Sequence, residues 1–204
     1  SRKAEARPNV VVATLCRTGR DSSSVWLTSR VSLGVSIMVE WLSGNYNHVS
    51  EVLMRVAISA DHAGFDLKPM IVDRLSRLGH EVVDLGAHSM DSYDDYPDFA
   101  RAVASSVATG QVERGVVICG SGVGMAITAN KFPNVRAAVC RDDNTAELCR
   151  QHNDVNVLCL SASEQEQVQS ERIVEIWLTT PFEGGRHARR VEKIAKFEQQ
   201  NGLR

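Results

Sequence analysis

The sequence lacks a strong excess of charge of either sign. Its 204 residues contain 23 Lys and Arg against 25 Asp and Glu, for a net charge of -2. A nearly neutral chain is a weak electrostatic partner for a polyanion, so nucleic acid is not expected as a ligand. No uninterrupted apolar run is long enough to span a bilayer, so no membrane partner is predicted either. The 43% hydrophobic and 24% charged residues are typical of a globular protein.

The sequence has no even set of cysteines that could all pair with one another, because it contains five. The spacing of the five residues matches neither a disulfide framework nor a zinc site, so no metal site is predicted. Unpaired thiols favour a reducing compartment. We therefore predict a cytoplasmic protein, with an organelle as the alternative. The five cysteines are Cys16, Cys119, Cys140, Cys149 and Cys159.

Residues 1–53 differ in composition from the rest of the chain. They are rich in arginine and serine and poor in acidic residues, as organelle transit peptides are. The alternative, which we favour, is an N-terminal extension that is no part of the fold, with Met54 as the natural start of the domain. We expect residues 54–204 to form one domain without any contribution from this extension.

From Met54 onward, β-branched runs alternate with segments of helical periodicity. This order predicts an α/β fold in which a five-stranded, mostly parallel sheet carries helices on both faces. Ligands of such sheets bind beyond the carboxyl ends of the strands, where we expect the polar segments 61–62, 119–121 and 141–143 to converge. The predicted strands are 55–59, 81–85, 115–119, 135–140 and 155–160. The predicted helices are 67–78, 99–108, 125–131, a segment through 147–149, 164–178 and 186–200.

The segment from Cys119 to Gly124 is the strongest candidate site. A buried strand ends in the thiol of Cys119, a glycine-rich turn follows, and a helix begins directly after it. Free N–H groups at a helix start favour an anion, and the same field favours a thiolate. A tight turn that merely needs small residues is the alternative. The spacing does not match the dinucleotide fingerprint, because Met125 stands where a third glycine is required.

Three other segments carry candidate polar residues, each with a structural alternative. Asp61 and His62 follow the first predicted strand, where Asp61 could simply cap a helix. His152 suits acid–base chemistry near neutral pH, although a solvated loop is the alternative. Arg186 and Arg190 are four residues apart on one helix face and could bind a phosphate or form a solvated basic surface.

Six motifs, in this order and at this spacing, resemble those of the B-type ribose-5-phosphate isomerases, a family that includes the galactose-6-phosphate isomerase subunits. They are SADHAGF (59–65), DYP (95–97), ICGSGVG (118–124), ANKF (129–132), QHNDVNVL (151–158) and FEGGRH (182–187). The resemblance covers nearly all of the chain after residue 53. It implies a Rossmann-like three-layer domain, no metal or organic cofactor, and a homodimer, or a dimer of dimers, with active sites at the interface.

The resemblance also implies catalytic roles for the glycine-rich turn. Cys119 would be the base that moves a proton between C2 and C1 of the open-chain sugar, and Ser121 would relay protons between the substrate oxygens. The amides of the turn, including Gly120, Gly122 and Gly124, would stabilise the enediolate. Relatives of another branch use a carboxylate at the position of Met125, so this chain resembles the cysteine branch.

The remaining implied roles concern ring opening and substrate binding. His152 would open the furanose ring with help from Asp61. Residues expected to hold the phosphate are His62, Arg186 and Arg190, and those expected to contact the sugar are Tyr96 and Asn153. In one departure, many relatives carry an arginine in a Gly-x-Arg run after the fifth strand, where this chain has Ser161, Ala162 and Ser163.

The predicted function is therefore an aldose–ketose isomerase of the pentose phosphate pathway. It would interconvert ribose 5-phosphate and ribulose 5-phosphate through an enediolate, which needs a base, an oxyanion cradle and an acid but no redox cofactor. One alternative is an isomerase of another phosphosugar, such as allose or galactose 6-phosphate. The other is a phosphosugar-binding module without catalysis, suggested by the serine at position 163.

Overall fold

Strands and helices alternate along the described part of the chain, as the sequence predicts. A computed structural model describes residues 53–202, so the expected N-terminal extension lies outside the described residues apart from Leu53. The strands are β1 (Arg55–Ala60), β2 (Glu81–Asp84), β3 (Arg114–Cys119), β4 (Ala137–Val139) and β5 (Val157–Ser161). The helices are α1 (Lys68–Arg77), α2 (Tyr96–Ala108), α3 (Val123–Ala129), α4 (Asp143–Asn153), α5 (Gln167–Thr179) and α6 (Arg186–Gln200), with a turn of 3-10 helix at His62–Gly64.

The five strands form one parallel sheet in the order β2-β1-β3-β5-β4. From β1 the chain moves outward to β2, whereas from β3 it moves to the opposite side of the sheet. The order of the strands therefore reverses between β1 and β3, which opens a crevice at the carboxyl ends of these two strands. This topology confirms the predicted α/β fold, and it places the ends of β1 and β3 side by side.

Alternate residues of each strand face two separate apolar layers, which explains the three-layer architecture. On one face, strand residues such as Ile58, Ile118 and Leu160 pack with α1, α4 and α5. On the other face, Ala57, Val117 and Cys119 belong to a second cluster with α2 and α3. Cys119 therefore lies on the α2 and α3 side of the sheet. No helix within residues 53–202 is both long and apolar enough to cross a membrane.

Two of the element boundaries that differ from the prediction have clear local reasons. α2 begins at Tyr96 rather than at 99, because Pro97 in its first turn needs no N–H partner there. β4 is shorter than the predicted 135–140. Side-chain amides take over the backbone bonds at its start, since the Arg136 N–H donates to Asn156 Oδ1 at 2.8 Å and the Ala137 N–H donates to Asn130 Oδ1 at 2.8 Å.

The turn after β1 packs directly on β3. A Cβ at Gly64 would lie 2.7 Å from Ile118 Cγ2, so only glycine permits this approach. The Asp61 N–H donates to the Ile118 carbonyl at 3.2 Å, which joins the two strand ends beyond the last ladder pair. Asp61 is thereby held beside the end of β3, where Cys119 lies.

Candidate active site

Cys119 is the last residue of β3, and its thiol is nearly buried with 5% exposure. The Gly122 N–H donates to its Sγ at 3.1 Å. The sulfur of Cys119 therefore acts as a hydrogen-bond acceptor from the backbone of the glycine-rich turn. The Gly122 amide, one of the expected enediolate donors, therefore serves the sulfur in this state of the protein.

The glycines of the turn are required by shape. Gly122 has φ +75°, and a Cβ there would lie 3.1 Å from the Leu160 carbonyl oxygen, so a side chain would be both strained and crowded. A Cβ at Gly124 would lie 2.6 Å from the Tyr96 ring, which places that ring against the first turn of α3. The turn that follows Cys119, the expected base, thus lies against Tyr96, the expected sugar contact.

Ser121 and Ser163 lie at the two sides of the same turn. The Ser121 Oγ accepts from the Val123 N–H at 3.3 Å, which leaves its hydroxyl hydrogen available to a ligand. A Cβ at Gly120 would lie 3.5 Å from Ser163 Oγ. Position 163, where the resemblance implies an arginine in many relatives, is thus adjacent to the turn, and a neutral hydroxyl occupies it here.

Asp61 combines the capping role and the site position that the sequence left as alternatives. Its Oδ1 accepts from the N–H groups of Ala63 and Gly64, at 3.0 and 3.1 Å, and so caps the 3-10 turn. Burial raises the pKa of Asp61 above its ordinary value, although the two N–H bonds act in the opposite direction. The carboxyl group therefore holds a proton more readily than an exposed aspartate does.

His62 is paired with Asp94, a residue that sequence reasoning missed. Its Nδ1 lies 2.6 Å from Asp94 Oδ1, and the same oxygen accepts the His62 backbone N–H at 3.1 Å. This bond to Asp94 raises the pKa of His62, and the charge of Asp61 adds to the effect. Asp94 stands in the acidic run 91–95, which has the pattern of a solvated turn, so the sequence carries no signal for a contact 32 residues away.

The other expected site residues lie at the edge of the sheet formed by the amino ends of the strands, opposite the carboxyl ends where Cys119 lies. α4 starts after β4 and returns toward the start of β5, so His152 and Asn153 at its end lie by the amino ends of the strands. The Arg136 Nε, just before β4, donates to the Asn153 carbonyl at 3.0 Å. α6 packs against α4 and brings Arg186 to the same edge.

His152 forms a stack with His187, which the quoted motif contained but sequence reasoning did not assign. The two rings lie 4.2 Å apart and are parallel within 4°. The Arg186 Nε donates to His187 Nε2 at 3.1 Å. Burial, and then the neighbouring His152, lower the pKa of His187, so this ring is favoured as a neutral acceptor. Arg190 adds a further positive charge near it.

One group of three potential metal ligands occurs within residues 53–202, namely His152, Glu183 and His187, with ligand atoms within 4.8 Å of one another. The lone pairs of an imidazole lie in the ring plane, and two parallel stacked planes do not meet at a common ion. Arg186 also occupies His187 Nε2 as a donor. The stacked planes and the occupied Nε2 therefore fit a metal ion poorly, although the Glu183 carboxylate lies 3.6 Å from the same Nε2.

The structure thus divides the expected site residues into two groups. The carboxyl-end group contains Asp61, His62, Tyr96, Cys119, and the turn residues Gly120, Ser121, Gly122 and Gly124. The amino-end group contains His152, Asn153, Arg186 and Arg190. Cys119 pairs with Ser161 at one end of β5, whereas the amino-end group adjoins Val157 at the other. At about 3.3 Å per residue, the two ends of β5 are about 13 Å apart.

A sequence profile of the Ribose/Galactose Isomerase family matches residues 56–194, which contain both groups. The chain belongs to this family. Ribose-5-phosphate isomerase B of Escherichia coli K12 is 45% identical over 148 residues, covering 72% of this chain and 99% of the relative.

Solved structures give the same assignment. The ribose-5-phosphate isomerase B of Mycoplasma genitalium, solved with bound ribulose-5-phosphate, has a TM-score of 0.70 at 43% identity and covers 72% of this chain and 97% of its own. The type B ribose 5-phosphate isomerase of Trypanosoma brucei has a TM-score of 0.70 at 44% identity, with coverage of 72% and 99%. Both support the fold and the family.

Proposed function

We propose that the protein interconverts ribose 5-phosphate and ribulose 5-phosphate. The proposal rests chiefly on the Cys119 thiol at the end of β3. Its sulfur accepts a hydrogen bond from the Gly122 N–H, and the glycine-rich turn follows it directly. Membership in the family supports it, as does the ribulose-5-phosphate bound to the Mycoplasma genitalium relative. Aldose–ketose conversion needs this combination of a base and an oxyanion cradle.

In this mechanism Cys119, as thiolate, removes the C2 proton of the open-chain aldose. The electron pair moves toward the carbonyl oxygen O1, and the enediolate that forms is stabilised by N–H groups of the turn, among them Gly120 and Gly124. Ser121 carries a proton between O1 and O2, and Cys119 returns its proton to C1. C1 is reduced and C2 is oxidised within the same molecule, so the step needs no external oxidant or reductant.

Ring opening and phosphate binding fall to residues of both groups. His152 serves as the acid that opens the furanose ring, and the raised pKa of Asp61 fits a carboxyl group that assists in proton transfer. His62, Arg186 and Arg190 provide positive charge for the phosphate. Tyr96, against the turn, and Asn153 contact the sugar.

The proposed active unit is a homodimer, alone or paired into a dimer of dimers. The two groups lie at opposite edges of one protomer's sheet, so one protomer does not assemble all of these residues around one sugar. A second copy can bring its amino-end group to the carboxyl-end group of the first. Apolar side chains beside the carboxyl-end group support such contact, since Tyr96, Val123 and Ile127 are 40%, 44% and 59% exposed.

A panel of phosphosugars tests the proposal. Purified protein is assayed for aldose–ketose conversion of ribose, allose and galactose phosphates, and we expect the highest kcat/KM on ribose 5-phosphate. A maximum on a hexose phosphate would instead assign another substrate of the same chemistry. Binding without turnover of every sugar would identify a non-catalytic module, the alternative that the neutral Ser163 beside the turn favours.

The place of the protein in the cell follows from the same proposal. Interconversion of the two pentose phosphates is a step of the pentose phosphate pathway. The four described cysteines are free and buried, which fits the reducing cytoplasm. We further propose that residues 54–204 form the isomerase domain, supported by the match of the Escherichia coli relative over 99% of its length.

A further inference from the structure

Asp94 makes contacts that an incidental surface aspartate does not make. Its side chain is only 10% exposed, although it stands in a run of acidic residues between β2 and α2. One oxygen, Oδ1, accepts both the backbone N–H and the ring Nδ1 of His62. The other oxygen, Oδ2, is buried without a hydrogen-bond partner among residues 53–202. The desolvation of this carboxylate is therefore offset chiefly by His62.

The pairing fixes the state of the His62 ring. A carboxylate oxygen only accepts, so the proton of the 2.6 Å contact belongs to Nδ1. Nε2 is the nitrogen left for a ligand, on a ring that is 40% exposed at the edge of the carboxyl-end group. With both nitrogens protonated, the ring is a cationic donor, which is the form that a phosphate dianion requires.

We propose that Asp94 is a positioning residue that holds His62 as a cationic Nε2–H donor to the phosphate of the substrate. This inference rests on the proposed function, in which His62 binds the phosphate. Within residues 53–202 the titratable groups that act on His62 are Asp94, Asp61 and Asp91, and all three are acidic. They favour the cation, and Asp94 is the one that both orients and charges the ring.

The first test is Asp94→Asn, which keeps the shape and the acceptor but removes the charge. Proton NMR titration of the histidine C2 resonances, assigned with His62→Gln, measures the pKa of His62 without any substrate. We expect a lower pKa in Asp94→Asn than in the wild type. The matched control is Asp98→Asn, an exposed carboxylate on the first turn of α2 that lies near Arg101 and should leave the His62 titration unchanged.

Kinetics then test the consequence for the substrate. Because the neutral ring is a weaker donor, we expect KM for ribose 5-phosphate to rise about three- to tenfold at pH 8 in Asp94→Asn, with a smaller change in kcat. At pH values below the pKa of His62 in both proteins, the difference in KM between Asp94→Asn and the wild type should vanish. The alkaline limb of the kcat/KM profile should therefore move to lower pH in Asp94→Asn. Asp94→Glu, which retains a carboxylate, should recover part of the alkaline activity.

The outcomes separate this inference from the proposed function. An unchanged His62 titration, or pH profiles of the same shape in Asp94→Asn and wild type, would overturn the role of Asp94. A wild type that does not turn over ribose 5-phosphate would overturn the function, while the NMR result would stand. If Asp94→Asn does not fold, Asp94→Ser is titrated in its place.

A double-mutant cycle tests whether Asp94 acts through His62. In a His62→Gln background the Asp94 substitution should have no further effect on KM, and an additive effect would contradict coupling through His62.

Discussion

The Asp61 side chain is buried, which disfavours its charge, yet its hydrogen bonds help to hold the turn after β1. Its Oδ1 caps the 3-10 turn, a role that asparagine also performs. Burial raises its pKa, so the charged form of this carboxyl group is less favourable in the folded protein than in the unfolded chain. Residues held in this way at a site commonly reduce stability in exchange for function.

We therefore expect Asp61→Asn to stabilise the fold while impairing ring opening. A folded-state pKa above the unfolded value contributes stability at low pH that is lost as the pH rises through the folded pKa. The Tm of Asp61→Asn should accordingly exceed that of the wild type at pH 7.5, and the difference should shrink toward acidic pH. Differential scanning calorimetry across pH measures this, and a lower Tm at pH 7.5 would contradict the expectation.

The second residue-scale prediction concerns the base. Cys119→Ala removes the thiol and, with it, only one hydrogen bond. Folding and phosphosugar binding should therefore be nearly unchanged. Loss of a general base should lower kcat by about 10²- to 10⁴-fold. Cys159→Ala is the matched control, because Cys159 lies on the same sheet face and is fully buried, with its pKa raised by burial. Near-normal turnover in Cys119→Ala, or equal losses in both variants, would remove Cys119 as the base.

At the scale of elements, the sequence predicts what depends on local pattern and misses what depends on distant side chains. The strands and helices follow from apolar periodicity, and α6 begins and ends where predicted. The start of β4 is set by two asparagine side chains, and the pKa of His62 is raised chiefly by its bond to Asp94. These contacts join residues 7, 20 and 32 positions apart, beyond the reach of helix and strand periodicity, so the pattern of the sequence does not reveal them.

The contact between α2 and α3 gives the element-scale prediction. Gly124→Ala would place a Cβ 2.6 Å from the Tyr96 ring, so the ring must move. Overpacking of this kind typically costs about 1–3 kcal/mol, and the displaced Tyr96 should raise KM. Urea unfolding measures the loss, and in a Tyr96→Ala background the same glycine substitution should cost much less. An equal loss in both backgrounds would show that the ring is not the obstacle.

At the scale of the whole molecule, chain direction decides which residues share an edge. Residues after a strand of a parallel sheet lie at one edge, and residues before the next strand lie at the other. This rule, applied to the sequence, would have placed Cys119 and His152 at opposite edges. The motifs identified the family without it, because they record which residues are present and not where the fold places them.

Mixing two inactive variants tests whether two copies share each active site. Cys119→Ala lacks the base and His152→Ala lacks the ring-opening acid, so each homodimer should be nearly inactive on ribose 5-phosphate. In a mixed dimer, one site carries both defects and the other carries neither. Random exchange of equal amounts makes half the dimers mixed, so activity should recover to about one quarter of the wild type.

The control for this experiment is a mixture in which both defects fall in the carboxyl-end group, Cys119→Ala with Tyr96→Ala. If each site takes its whole carboxyl-end group from one protomer, every site in that mixture carries one defect and no activity beyond that of the two parents should return. Recovery in the first mixture alone would assign His152 and Cys119 to different protomers of one site. Failure of the first mixture, with subunit exchange verified by mass spectrometry, would mean that one protomer supplies both residues and that α4 must move to bring them together.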